Sequence, residues 1–170
     1  MKQKVSDYIA EYIAQWGIRD VFTVTGGGAM HMNDAFGHHK MLHCTYQHHE
    51  QACAMAAEAY ARLGNKMAAV CVTTGPGATN AITGVLGAWM DSIPMLVFSG
   101  QARYATTVSA SGLPLRSMGV QECNIVPVVK SLTKYAHMIV HPENIRYHLE
   151  KALYLAVNGR PGPVWLDIPL

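Results

Sequence analysis

A chain of 170 residues with 13 Lys and Arg, 11 Asp and Glu, a net charge of +2 and 50% hydrophobic residues is too apolar for disorder and has no basic surplus for binding nucleic acid. Its length fits one domain, and no apolar stretch reaches the ~18 residues of a membrane span. Charged residues are only 14% of the chain, against ~25% in an ordinary domain, which points to surface buried against other polypeptide.

The first segment is amphipathic. Val5, Tyr8, Ile9, Tyr12, Ile13 and Trp16 follow helical spacing, with Ser6 or an earlier residue as cap and Gly17 as the stop. Its two lysines are followed by acidic residues, so it is no signal peptide. Residues 20–24 read as a short strand that runs into the loop Thr25-Gly26-Gly27-Gly28. A short helix over 30–36, a strand near 42–45 and an Ala-rich helix from about His49 to Leu63 follow, the last ended by Gly64-Asn65. Residues 67–73, MAAVCVT, form the continuous apolar run of a strand covered on both faces. Gly75-Pro76-Gly77 turns the chain into a helix running to about Trp89, and 94–99 is another buried strand. Residues 101–119 are polar and irregular. A short helix, a strand over 135–140, a helix over 142–158 and a last strand over 164–168 complete the chain.

Buried strands alternating with helices predict an α/β fold: one parallel sheet with helices on both faces. Residues 1–170 form one domain, with no internal linker. The abrupt end behind the last strand reads as a domain boundary. The four cysteines, Cys44, Cys53, Cys71 and Cys123, have no metal-ligand or disulfide spacing. They read as buried free thiols in a reducing cytoplasm.

In such sheets ligands bind beyond the carboxyl ends of the strands. Three loops there have unusual composition. Thr25–Ala29 could cradle a phosphate with its backbone N–H groups, although it lacks a P-loop Lys-Ser/Thr and the full dinucleotide-binding spacing; a tight turn explains it equally well. Thr74–Asn80 puts two glycines around a rigid proline and presents polar Thr79 and Asn80 at a helix start. Glu50 opens the Ala-rich helix. Its helix dipole is reason enough for a carboxylate. Its apolar neighbours would also disfavour the charged form and suit it to proton sharing. His38, His39, His43, His48 and His49 crowd one stretch without zinc spacing, so solvated roles, or roles supporting other site residues, are preferred over metal ligation.

Taken together, Val21-Phe22 with Gly26-Gly27, His49-Glu50-Gln51 with Ala59-Tyr60-Ala61-Arg62, and Gly75-Pro76-Gly77-Ala78-Thr79-Asn80 resemble one family in order and spacing. Met90-Asp91-Ser92-Ile93-Pro94 with Gly100-Gln101, Gln121-Glu122, and Gly159–Val164 extend the resemblance over essentially the whole chain. The family is the N-terminal, pyrimidine-binding domain of thiamine-diphosphate-dependent enzymes of the acetolactate synthase type. The resemblance implies a 2-keto acid decarboxylase and carboligase, a transferase acting on a substrate such as pyruvate. It implies that Glu50 binds N1′ of the aminopyrimidine and so favours loss of the proton at thiazolium C2. It assigns Pro76 and Asn80 to the loop beside the pyrimidine, Gly26 and Gly27 to the cofactor and substrate channel, and Gln121 to the reaction centre. Arg160-Pro161-Gly162-Pro163 looks structural.

The same resemblance implies a homo-oligomer, most simply a dimer. The diphosphate and its Mg2+ would be held by a diphosphate-binding domain of a partner subunit. That domain's Gly-Asp-Gly motif is absent here, as is the middle domain. The chain is therefore read as an excised domain, inactive alone. The alternatives are one subunit of a split enzyme, a non-catalytic binding module, or an unrelated nucleotide-binding α/β domain. Val24, Thr25, Gly28, Val120 and the stretch 112–120 depart from the family's usual residues on the substrate side, which admits a related carboligase, for instance one serving surface-polysaccharide synthesis.

Overall fold

The computed structural model of the chain describes residues 3–170. Six strands form one all-parallel sheet: β1 (Asp20–Thr23), β2 (His43–Tyr46), β3 (Ala69–Val72), β4 (Met95–Gln101), β5 (Tyr135–Met138) and β6 (Pro163–Pro169). Their spatial order is β2-β1-β3-β4-β6-β5. The helices are α1 (Val5–Trp16), α2 (Met30–His38), α3 (Glu50–Gly64), α4 (Pro76–Asn80), α5 (Ile82–Met90), α6 (Val108–Ser111), α7 (Ile125–Val129) and α8 (Ile145–Val157).

The sheet is covered on both faces, as its apolar strands require. Successive residues of a strand point to opposite sides, and two cores result. Ala69 and Cys71 of β3, Leu96 and Phe98 of β4, and Val164 and Leu166 of β6 pack with Ile9, Ile13, Phe36, Leu149 and Leu153 of α1, α2 and α8. Val70, Val72, Met95, Val97 and Trp165 pack with Cys53, Ala57, Val85, Ala88, Ile125 and Val129 of α3, α5 and α7. No helix among the described residues is long and apolar enough to cross a membrane.

Four local features differ from the sequence reading. Ser6 does not cap α1; it is buried inside the helix, and Lys4 stands at the N-cap without a side-chain bond. The helix after Pro76 is two helices that meet at Ala81. Within the polar stretch 101–119 the chain is not wholly irregular: Gln101 is the last residue of β4, a 3-10 turn covers Tyr104–Thr106, and α6 follows. Of the four free cysteines, Cys53 and Cys71 are buried and Cys44 and Cys123 only half-buried. Burial pushes the Cys53 and Cys71 thiols up to about 12, so they are inert core residues.

The strand order reverses between β1 and β3. From β1 the chain goes outward to β2 on one side and returns to β3 on the other. A crevice opens at such a reversal, beyond the carboxyl ends of the strands. The loops after β1 and β3, the two glycine-rich ones, flank it.

Candidate cofactor site

Thr73, which follows β3, is the hub of that crevice. A Cβ on Gly26 would stand 2.4 Å from Thr73 Cβ, and one on Gly77 2.6 Å from Thr73 Cγ2. Gly26 has extended backbone that any residue adopts, so close approach is what demands glycine there. Thr73 Oγ1 also accepts the Gly28 N–H at 3.1 Å. A Cβ on Gly28 would crowd Thr73 and Thr74 at 3.0 to 3.1 Å. Gly27 is different: it is exposed, and a Cβ there would meet nothing within 4 Å. Gly27 therefore opens outward while Gly26 and Gly28 lock the two loops together. Asn33 braces the first loop from α2, accepting from Gly26 N at 3.4 Å and donating to Thr23 Oγ1 at 3.1 Å.

The second loop turns at Gly75, whose φ of +57° and ψ of −120° suit only glycine. Pro76 then begins α4 at a position where its missing N–H is harmless. Asn80, at the end of α4, donates from Nδ2 to Glu50 Oε2 at 2.9 Å. Glu50 Oε1 faces Gly77, 3.3 Å from where a Cβ would be. Glu50 is the first residue of α3, held there by His49, whose Nδ1 accepts the Gln51 N–H at 3.1 Å. The crevice thus brings Gly26, Gly27, Glu50, Pro76 and Asn80 together around Thr73 and Gly77.

One expectation needs correction. The apolar neighbours of Glu50 do not enclose it. Cys53, Ala54 and Ala57 turn into the core, and Glu50 itself is only half-buried. Desolvation of this carboxylate has to come from whatever covers the first turn of α3.

Gln121 reaches the site by its backbone. It is a non-glycine residue in the left-handed region, φ +55°. Its carbonyl lies against Gly75, 2.3 Å from where a Cβ would be, and accepts from Thr74 Oγ1 at 3.1 Å. Its side chain is exposed. The next residue, Glu122, holds the loop before it. Its carboxylate accepts the N–H groups of Val108, Met118 and Gly119 at 2.7 to 3.0 Å. Burial raises its pKa, but these three bonds outweigh that and leave it lowered.

The histidines serve other ends. His39 bonds Glu11 at 3.1 Å and His43 bonds Asp20 at 3.3 Å. No group of three or more possible metal ligands occurs among the described residues. Sequence reasoning named Thr74 and Gly77 only as members of the second loop, and it missed Thr73. It also missed a buried polar cluster of Ser99, Gln101 and Asp167 beneath the second loop. Nothing distinguished Thr73 from any threonine that ends a strand.

The sequence model of the N-terminal TPP-binding domain of thiamine pyrophosphate enzymes matches residues 3–113. The chain belongs to this family. As a member of it, the chain carries the family's thiamine-diphosphate-binding fold, and the match covers both glycine loops and Glu50. It is 36% identical over 170 residues to acetolactate synthase 2 of Zea mays, which spans 98% of this chain and 25% of that protein. It is 37% identical over 164 residues to the acetolactate synthase large subunit of Haemophilus influenzae, 96% of this chain and 27% of that one. For the acetolactate synthase of Arabidopsis thaliana the identity is 35% over 170 residues. The domain spans about a quarter of the length of the curated relatives it matches.

Proposed function

We propose that this domain is the pyrimidine-binding half of the cofactor site in a 2-keto acid decarboxylase and carboligase of the acetolactate synthase kind. The observation that carries the reading is the pairing of Glu50 with Asn80 beside Gly77, at a strand-order reversal flanked by two glycine loops. The donor set fits an aminopyrimidine. Asn80 occupies one carboxylate oxygen and leaves the other to a ring nitrogen. Gly27 leaves open backbone against which a planar ring can lie. When bound, thiamine diphosphate supplies a carbon nucleophile at thiazolium C2 for attack on a 2-keto acid such as pyruvate.

The chain's own residues hold and position. Glu50 shares a proton with N1′, and Asn80 fixes the carboxylate in the orientation that allows it. Pro76 stiffens the loop that carries Asn80. Gly26 lets the first loop close on Thr73, Gly27 leaves open space for ring and substrate, and Gln121 borders the reaction centre. The family resemblance assigns the diphosphate and its Mg2+ to the other half of the site. That half of the site belongs to a diphosphate-binding domain on further polypeptide, most simply in a second subunit. Four unpaired thiols support a reducing, cytoplasmic setting.

Two measurements test this. With the 170-residue chain, millimolar thiamine diphosphate is expected to shift backbone NMR signals at Gly26, Gly27, Glu50 and Asn80, while pyruvate is not turned over. Shifts elsewhere, or turnover by the chain alone, would overturn the reading. The second concerns assembly. Met55 and Leu63 of α3 and Leu86 and Met90 of α5 stand on the outer surface, Leu63 91% and Met90 65% exposed. α3 starts at Glu50 and α5 follows α4, which starts at Pro76, and their apolar faces suit a two-fold contact. Light scattering at micromolar concentration is expected to give a dimer; a strict monomer would refute that contact.

A further inference from the structure

Beneath the site lies a buried polar cluster that the function above does not use. Asp167 of β6 is wholly buried, and its register partner on β4 is Ser99. Asp167 Oδ1 accepts from Ser99 Oγ at 2.6 Å, and Ser99 Oγ in turn accepts from Trp165 Nε1 at 2.8 Å. Asp167 Oδ2 accepts from Gln101 Nε2 at 3.1 Å. The Gln101 amide then divides between two loops. Its Nε2 donates to the Cys123 carbonyl at 2.7 Å, two residues beyond Gln121. Its Oε1 accepts from Ala102 N at 3.0 Å and from Thr74 Oγ1 at 2.8 Å, one residue before Gly75. The Thr74 hydroxyl shares its single proton between Gln101 and the Gln121 carbonyl.

Each amide atom of Gln101 thus meets two partners of the right kind, so only one orientation of the amide satisfies them all. No buried side-chain nitrogen or oxygen lacks a partner among the described residues. A fully satisfied network of this kind specifies one geometry. The geometry it specifies is the separation of the Gly75 loop from the Gln121 loop, which touch at the missing Cβ of Gly75.

We propose that Asp167, acting through Gln101, is a positioning residue that fixes the Gly75–Asn80 loop and the Gln121 loop relative to each other. The proposal rests on the reading that these loops border the cofactor. Burial pushes the Asp167 carboxyl up to about 7, with Ser99 and Gln101 opposing the shift. The titratable groups near it are the Cys123 thiol, raised by burial and then by Asp167 and Glu122, and through it Glu122. No lysine, arginine or histidine pairs with Asp167 among the described residues. The loops therefore sense Asp167 through hydrogen bonds to Gln101, and a change in its protonation reaches both at once.

The first test uses the unaltered protein. In an NMR titration, the Gln101 side-chain amide and the backbone amides of Gly75, Glu122 and Cys123 are expected to share one inflection near neutral pH, with β1 and β2 silent. Independent or absent inflections would overturn the proposal. The second test is Asp167→Asn, which has one acceptor oxygen for two donors, so its N–H₂ must face either Ser99 Oγ or Gln101 Nε2. Above pH 7, where Asp167 is ionised, hydrogen exchange at residues 75–80 and 119–124 is expected to rise about tenfold or more, the loss of one charge-assisted hydrogen bond, and the shared inflection to vanish. Exchange that is unchanged, or that rises evenly through the sheet, counts against the proposal. Loosened loops with unchanged thiamine diphosphate affinity would instead remove the cofactor reading and leave the positioning role intact.

Discussion

Glu50→Gln in a complete enzyme is expected to slow proton exchange at C2 of bound thiamine diphosphate by roughly 10²–10⁴-fold, the usual scale for a general acid–base group. Glutamine keeps the shape of the side chain, and its Oε1 can still accept from Asn80 Nδ2. The tie that positions residue 50 at the start of α3 survives, and so does the cap supplied by His49. What disappears is the carboxylate that can share a proton with N1′. Cofactor affinity should therefore change far less than the exchange rate. Exchange is read by deuterium loss at C2 after rapid quenching, so the result does not depend on product formation. An unchanged rate would remove Glu50 from the chemistry and leave it only the α3 dipole as a reason for its charge.

The elements that follow one periodicity are legible in the sequence. The apolar spacing of α1 and the run 67–73 each point to one solution, and strands apolar on both faces demand helices on both. The glycine loops were legible because strand, glycines and helix follow one another along the chain. Contacts made across the fold were not. Ser99 and Asp167 are 68 residues apart, and Gln101 and Asp167 are 66 apart, so no local pattern announces them. The stacked pair His137 and His148, with ring centroids 4.0 Å apart, joins β5 to α8 and is equally silent in sequence. Glu50 shows the converse limit. Its apolar neighbours are real, but a helix turns them to another side, and burial of neighbours did not translate into burial of the carboxylate.

Asp167 also carries a price in stability that can be measured. Its folded pKa is about 7 against an ordinary 3.8. Between those values the folded chain keeps the proton and the unfolded chain has released it. The folded state then binds more protons, so this group's contribution to stability falls as pH rises from about 4 to 7, by on the order of 4 kcal/mol. His137 and His148 act oppositely. Burial lowers the pKa of each, with Lys151 adding to the effect and His137 also acting on His148. The unfolded chain then takes up more protons below about 6.5, and stability falls as pH falls. Comparing the protein with Asp167→Asn cancels the histidines and isolates the carboxyl. In urea unfolding at pH 4.5, 6 and 8, the variant's deficit is expected to be largest at pH 4.5 and to shrink by up to about that amount at pH 8. Parallel stability curves would mean that Asp167 ionises in the folded protein as it does in the unfolded chain. A carboxylate that weakens the fold at neutral pH, yet meets a donor at each oxygen, is what a positioning role predicts, because an apolar residue would stabilise the strand but leave the Gln101 amide without its anchor.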